Sequence, residues 1–386
     1  MAKLSIKDLD LKDKSVFIRA DFNVPMEPGG NVIASDKRIR AALPTIQYAI
    51  EHCAAVILAS HLGRPKGNRN PALSLSPVAV RLGELLGKTV TMAPDCVGPE
   101  TAARKPGPGQ VMLLENLRFH PEEEANDPGF SRQLASLADL YVNDAFGSAH
   151  RAHASTVGMV AQFPFAAAGL LMESEIEWLT RATKNPERPS VALLGGAKVS
   201  DKIGVIQNLI TVVDKLLIGG AMAYTFLRAK NEPTGGSLVE EDKIDLAREL
   251  LATAGSKLIL PVDHIVVREI KPGARHQVVS SIGPDEIAVD IGPRTIREYA
   301  EIISGARTII WNGPMGIFEM PPFDTGTVEL AKAVAESGAV SVVGGGDSEK
   351  AIKSAGVAGK ITHVSTGGGA SLEFLSGLEL PGVAVL

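Results

Sequence analysis

Along this chain short apolar runs repeatedly break off into loops crowded with ionisable residues, and a helical pattern follows each loop. Residues 16–18 (VFI) lead into Arg19-Ala20-Asp21-Phe22-Asn23-Val24-Pro25, and residues 54–60 (AAVILAS) into His61-Leu62-Gly63-Arg64-Pro65. Residues 111–115 (VMLLE) lead into Asn116-Leu117-Arg118-Phe119-His120, and 140–142 (LYV) into a loop ending in His150-Arg151. Residues 39–51 and 76–86 carry helical patterns between them. Short apolar strands alternating with helices predict an α/β fold, a parallel sheet with helices on both faces. Ligands of such sheets bind beyond the carboxyl ends of the strands, where the loaded loops fall.

The same order continues downstream with glycines in place of arginines. Residues 191–194 open into Gly195-Gly196-Ala197-Lys198-Val199-Ser200-Asp201-Lys202, and 215–218 into Gly219-Gly220-Ala221. Residues 308–310 open into Trp311-Asn312-Gly313-Pro314-Met315-Gly316, 340–343 into Gly344-Gly345-Gly346-Asp347-Ser348, and 361–364 into Ser365-Thr366-Gly367-Gly368-Gly369. Residues 169–186 separate the two styles. Met172, Ile176, Leu179 and Ala182 give that stretch an apolar stripe, acidic residues crowd its start, Arg181 and Lys184 its end, and Asn185-Pro186 stops it. The expected architecture is two doubly wound parallel-sheet, Rossmann-like domains, 1–168 and 187–376, joined by a hinge helix. A length of 386 residues fits two cores.

Net charge is −5, so no global positive field invites nucleic acid or an anionic membrane, and any anion site must be local. Arg64, Arg118 and Arg151, joined by Arg38, fall at successive strand ends, with His61 and His150 beside two of them. A single arginine is usually a surface residue, but this set reads as an oxyanion pocket, because guanidinium forks match phosphate and carboxylate oxygens. His120 and His153 read as satisfied or surface histidines. Cys53 and Cys96 read as buried structural thiols; with a charged N-terminus and no apolar run long enough to span a bilayer, a reducing cytoplasm is expected.

One glycine turn is only a tight turn; three in one sheet imply a nucleotide or another polyphosphate approached by bare amides at helix starts. Lys198 and Lys202, four apart, are expected on one face of the first helical turn. Asp347 is a candidate magnesium ligand, with helix N-capping as its other reading. Residues 83–89 (GELLGKT) miss the Walker A spacing, no GxGxxG follows a strand, and the order of Asp21-Phe22-Asn23 and His150-Arg151 is not that of protein kinases.

Taken together, RADFNVP, SHLGRP, ENLRFH, NDAFGSAHRAHAST, LLGGAKVSDKI, SLVEED, WNGPMGIFE, GGGDS and STGGGAS resemble the phosphoglycerate kinase family in order and over the whole length. The resemblance implies a monomeric hinge-bending enzyme that moves a phosphoryl group between 1,3-bisphosphoglycerate and ADP. By it, Asp21, Phe22, Asn23, Arg38, His61, Leu62, Gly63, Arg64, Arg118 and Arg151 would bind 3-phosphoglycerate. Lys198 and Lys202 would contact the nucleotide and the moving phosphoryl group, Glu319 the ribose, and Gly345, Gly346, Asp347 and Ser348 the phosphates and Mg2+. The tail, 377–386, would return to the N-terminal domain. Ser348 stands where the family often has Thr, and Ala221 where it often has a third Gly. Two other readings stay open: a related carboxylate kinase, and a catalytically silent nucleotide-binding scaffold.

Overall fold

The computed structural model describes residues 3–28 and 32–386; Met1 and Ala2 of the N-terminal segment lie outside them. The chain divides into two compact units, one of 1–176 with Glu379–Leu386 and one of Glu177–Leu378.

Unit 1 holds six parallel strands: β1 (Ser15–Arg19), β2 (Ala55–Ala59), β3 (Val90–Met92), β4 (Val111–Leu113), β5 (Leu140–Asn143) and β6 (Ala166–Ala168). Their order is β3-β4-β2-β1-β5-β6. Successive side chains point to opposite faces and feed two separate cores. Val16, Ile18, Val56, Leu58, Val111 and Leu113 enter one core, while Phe17, Ile57, Ala59 and Met112 enter the other. Both faces are covered, so these strands read as unbroken apolar runs rather than alternating ones. The helix Ser76–Leu86 forms as the sequence predicts, with a proline in its first turn and Gly87 in the left-handed conformation at its end.

Unit 2 holds β7 (Ser190–Leu194), β8 (Lys215–Ile218) and β9 (Leu258–Ile259). An antiparallel sheet of β10 (His264–Val267), β11 (His276–Val279) and β12 (Ile287–Ile291) follows, then β13 (Thr308–Asn312), β14 (Val340–Gly344) and β15 (His363–Val364). The parallel sheet runs β15-β14-β13-β7-β8-β9, and the other β11-β10-β12. The antiparallel sheet is absent from the sequence reading; β11 is largely exposed and carries little apolar signal. The strand read at 361–364 shrinks to its last two residues.

The helix Leu170–Lys184 occupies the stretch read as a connector, and the division between units falls inside it. Asp144, just after β5, accepts from Leu171 N at 3.0 Å and Met172 N at 3.1 Å, satisfying amides that a helix start leaves orphaned. Burial pushes the Asp144 carboxyl up to about 6. A side chain on Gly169 would fall on Asp144 Oδ1. In unit 1, Gly382 N donates to Ala149 O at 2.8 Å, and Asn143 Nδ2 donates to Gly382 O at 3.1 Å. One cysteine reading is corrected: Cys96 is buried but Cys53 is exposed, just past the helix Lys37–Glu51.

Candidate active site

In unit 1 the strand order reverses between β1 and β5, and the loops after β1, β2, β4 and β5 carry the ionisable residues. Arg38 Nη1 donates to Asp21 Oδ1 and to Asn23 O, both at 3.0 Å. Asn23 Oδ1 accepts from Gly63 N at 2.9 Å, tying the β1 and β2 loops together. Phe22 is buried, and its amide donates to Ser60 Oγ at 2.7 Å. Leu62 is buried, and its carbonyl accepts from Asn116 Nδ2 at 2.8 Å. Arg118 Nη1 donates to Gly63 O at 3.0 Å, so the β4 loop joins them.

Arg118 is 5% exposed, and burial pulls its guanidinium down to about 10, with Glu124 opposing the shift and Arg19 and Arg151 adding to it. Its Nε lies 3.2 Å from Glu124 Oε1 yet off the line of a hydrogen bond, leaving a buried donor unmatched. Arg151 is half-buried, with Nε donating to His150 Nε2 at 3.1 Å. Burial holds His61 well below the ordinary imidazole range, reinforced by Arg19, Arg118, Arg38 and His153. Arg38, His61, Arg118 and Arg151 thus share one field, while Arg64 is exposed on its loop.

Two members were missed in the sequence. Arg19 closes β1 and is wholly buried among these groups, and His153, set aside as a bystander, is buried with them and pulled down to about 3 by burial and then Arg19. Arg19 carried the same signal as the other arginines, a place at a strand's carboxyl end. His120, also set aside, pairs with Asp95 at 2.8 Å and stacks on Phe130. Asp95, Cys96 and His120 do come within 4.8 Å of one another, a proximity their sequence spacing conceals; Arg69 shares the Asp95 carboxylate and burial holds the Cys96 thiol up.

In unit 2 the order reverses between β7 and β13. There Lys202 Nζ donates to Asn312 Oδ1, and burial draws the ammonium down to about 8 against the pull of Asp201 and Asp347. Asn312 Nδ2 donates to Gly344 O at 2.9 Å, and Ser348 Oγ accepts from Gly313 N at 2.6 Å, linking the β13 and β14 loops. Three expectations need correction. Lys198 is exposed in the loop before the short 3-10 turn Ser200–Lys202, so it does not share a helical face with Lys202. Asp347 does not cap: Gly345 is the N-cap of the helix Gly346–Ser354, and Asp347, exposed in its first turn, pairs with Lys350 at 3.1 Å. The glycine turns also differ in kind. Side chains at Gly195 and Gly313 would fall on each other's loops, so these glycines serve close packing, whereas nothing lies within 4 Å of a side chain added at Gly346. The uncapped amides of that one helix start are open to an anion.

Glu319 is exposed on the segment after β13. That segment is anchored by Asp290, which accepts from Gly326 N at 2.7 Å and Ile291 N at 2.9 Å. Burial pushes Asp290 up to about 8.

Clustered arginines and histidines at one switch point, with a lysine and an open glycine turn at the other, fit a phosphotransferase of the two-domain α/β class. The family model described as Phosphoglycerate kinase matches residues 6–378. The phosphoglycerate kinase of Solibacter usitatus is 68% identical over 389 residues, covering 100% of both chains, and that of Moorella thermoacetica is 59% identical over 393 residues, covering 100% of this chain and 99% of the other. The solved phosphoglycerate kinase of Coxiella burnetii superposes with a TM-score of 0.92 at 43% identity, covering 99% of this chain and 98% of that one. The chain belongs to the phosphoglycerate kinase family. It is a glycolytic enzyme that transfers a phosphoryl group reversibly between 1,3-bisphosphoglycerate and ADP, with ATP and ADP as co-substrates. Among the described residues no helix is long and apolar enough to cross a membrane.

Proposed function

We propose that the unit 1 pocket holds 3-phosphoglycerate through Asp21, Phe22, Asn23, Arg38, His61, Leu62, Gly63, Arg64, Arg118 and Arg151. The observation that carries this reading is Arg118, a buried guanidinium crowded by Arg19 and Arg151, whose Nε lies 3.2 Å from the exposed Glu124 carboxylate without a hydrogen bond to it. Buried like charges are tolerated where an anion completes them. In unit 2, Lys198 and Lys202 contact the nucleotide and the moving phosphoryl group, Glu319 the ribose, and Gly345, Gly346, Asp347 and Ser348 the phosphates. Asp347 offers one exposed carboxylate at the open helix start, which suits Mg2+, a hard ion that keeps waters and shares phosphate oxygens. When bound, Mg2+ supplies charge neutralisation at the phosphates.

The acceptor in the ATP-consuming direction is a carboxylate, already ionised at neutral pH, so no general base is needed. The residues therefore orient and neutralise: Arg38 from unit 1, and Lys198, Lys202 and the Gly346 turn from unit 2, act on the phosphoryl group in flight. Bringing both halves onto one phosphoryl group requires closure that excludes water, transmitted by the helix Leu170–Lys184. The reading includes a monomer in the cytoplasm; the free cysteines Cys53 and Cys96 suit a reducing compartment.

Purified protein with MgATP and 3-phosphoglycerate, its acyl phosphate product drained by a coupling dehydrogenase, should turn over, while glycerate, acetate and aspartate should not. Small-angle scattering with both substrates should show a more compact particle than without. Turnover with glycerate would remove the phosphate-binding role of the arginines, and unchanged compactness would remove closure.

A further inference from the structure

Behind the arginine pocket of unit 1 lies a buried file of polar groups. Arg19 Nε donates to Ser155 Oγ at 2.8 Å, its Nη1 donates to Ala20 O, and its Nη2 lies 3.3 Å from His61 Nδ1. Ser155 in turn donates to Glu123, from Oγ to Oε1 at 2.6 Å and from its amide to Oε2 at 3.0 Å. Arg19 and Glu123 are both 0% exposed, and Tyr141 closes the file by donating its hydroxyl to Ser155 O at 2.9 Å. Neighbouring glutamates of the short helix Pro121–Glu124 thus serve two arginines: Glu124 lies beside Arg118, and Glu123 faces Arg19 through Ser155.

A guanidinium carries donors only and keeps its charge in any environment. The contact between Arg19 Nη2 and His61 Nδ1 therefore has one sense: Nδ1 accepts, and the ring proton sits on Nε2. We propose that Arg19, Ser155 and Glu123 are positioning residues that hold His61 as the neutral Nε2–H tautomer, so that the pocket gains an uncharged N–H donor for a substrate oxyanion. This rests on the reading that the pocket holds 3-phosphoglycerate. The opposite tautomer would aim a lone pair at that oxyanion. The imidazolium is opposed by the cations facing the ring, Arg19, Arg118 and Arg38, with His153 beside them. Glu123 is the counter-charge that makes a buried Arg19 tenable, and Ser155 transmits its orientation. A neutral donor adds a hydrogen bond to the anion site without adding to a field already dense with arginines.

The direct test is a long-range 1H–15N spectrum of the ring nitrogens in the full chain, with His61 assigned by its disappearance in His61→Gln. The expected result is a single Nε2–H tautomer that does not change between about pH 6 and about pH 8. An Nδ1–H tautomer, or an imidazolium at neutral pH, overturns the proposal. Ser155→Ala should mix the tautomers and raise KM for 3-phosphoglycerate by about five- to tenfold, leaving KM for MgATP unchanged. Glu123→Gln, if it folds, should do the same. A Ser155→Ala protein with a lower melting temperature but unaltered tautomer and KM makes the file merely structural and overturns the proposal. An Nε2–H tautomer in the wild type, with KM for 3-phosphoglycerate unchanged in His61→Ala, which removes the donor, supports the relay but overturns the assignment of the pocket.

Discussion

Lys202 donates its ammonium to Asn312 across the point where β7 and β13 part, in a site where burial has drawn the lysine down to about 8. In the proposed role the charged form is the one that holds phosphates, and its share falls as pH rises through that value. The expected result is a loss of kcat/KM for ATP above about pH 8, with Lys202→Arg removing that limb because a guanidinium does not titrate there. A profile that stays level to about pH 9.5 would take Lys202 out of nucleotide binding.

Arg38 is held by Asp21 and Asn23, so its guanidinium is oriented before substrate arrives. Arg38→Ala should lower kcat by about 10²–10³-fold, the scale of losing one charge-stabilising donor, while nucleotide affinity stays close to wild type. Steady-state kinetics beside equilibrium nucleotide binding check this; unchanged turnover would remove Arg38 from the mechanism.

Gly169 has no room for a side chain because Asp144 occupies the space while capping the helix Leu170–Lys184. Gly169→Ala should cost about 1–3 kcal/mol by overpacking and by displacing the cap. Urea unfolding measures the loss, and a variant as stable as wild type would mean that Asp144 moves aside without penalty.

Asp290 sits at about 8 in the fold, well above the ordinary carboxylate value near 4. The fold therefore binds that proton more tightly than the unfolded chain does, and its contribution to stability is present at acid pH and lost as pH rises from about 4 to about 8. Asp290→Asn removes this slope. Unfolding free energies compared across that window should move in favour of the variant with rising pH, and parallel curves would contradict it.

The sheets were legible because strands buried on both faces leave unbroken apolar runs, and Val16-Phe17-Ile18 feeds two cores without a polar residue between them. The antiparallel sheet was not, since exposed β11 offers no such run. Strand ends announced the arginines, yet Arg19 escaped because a loop residue and a wholly buried one look the same in a sequence. Ser155 and Glu123 lie 136 and 32 residues from their partners Arg19 and Ser155, so nothing local marks them. The lysines illustrate the opposite error. A spacing of four suggested one helical face, but the chain enters that helix through a 3-10 turn that begins after Lys198. Glycine count alone likewise could not separate Gly195, which makes room for a neighbouring loop, from Gly346, which leaves an amide bare.

The hydrogen bond from Asn143 to Gly382 spans 239 positions of sequence. Unit 2 is thus an insertion within unit 1, and β5 gains its last partner only when a segment from far along the chain arrives. Pairings of such separation carry a large loop-closure entropy and slow the search for the native topology. All six strands of unit 1 precede unit 2 in the chain, so its sheet can pair before the tail arrives, and the Asn143–Gly382 closure waits for the whole of unit 2 to be laid down between them.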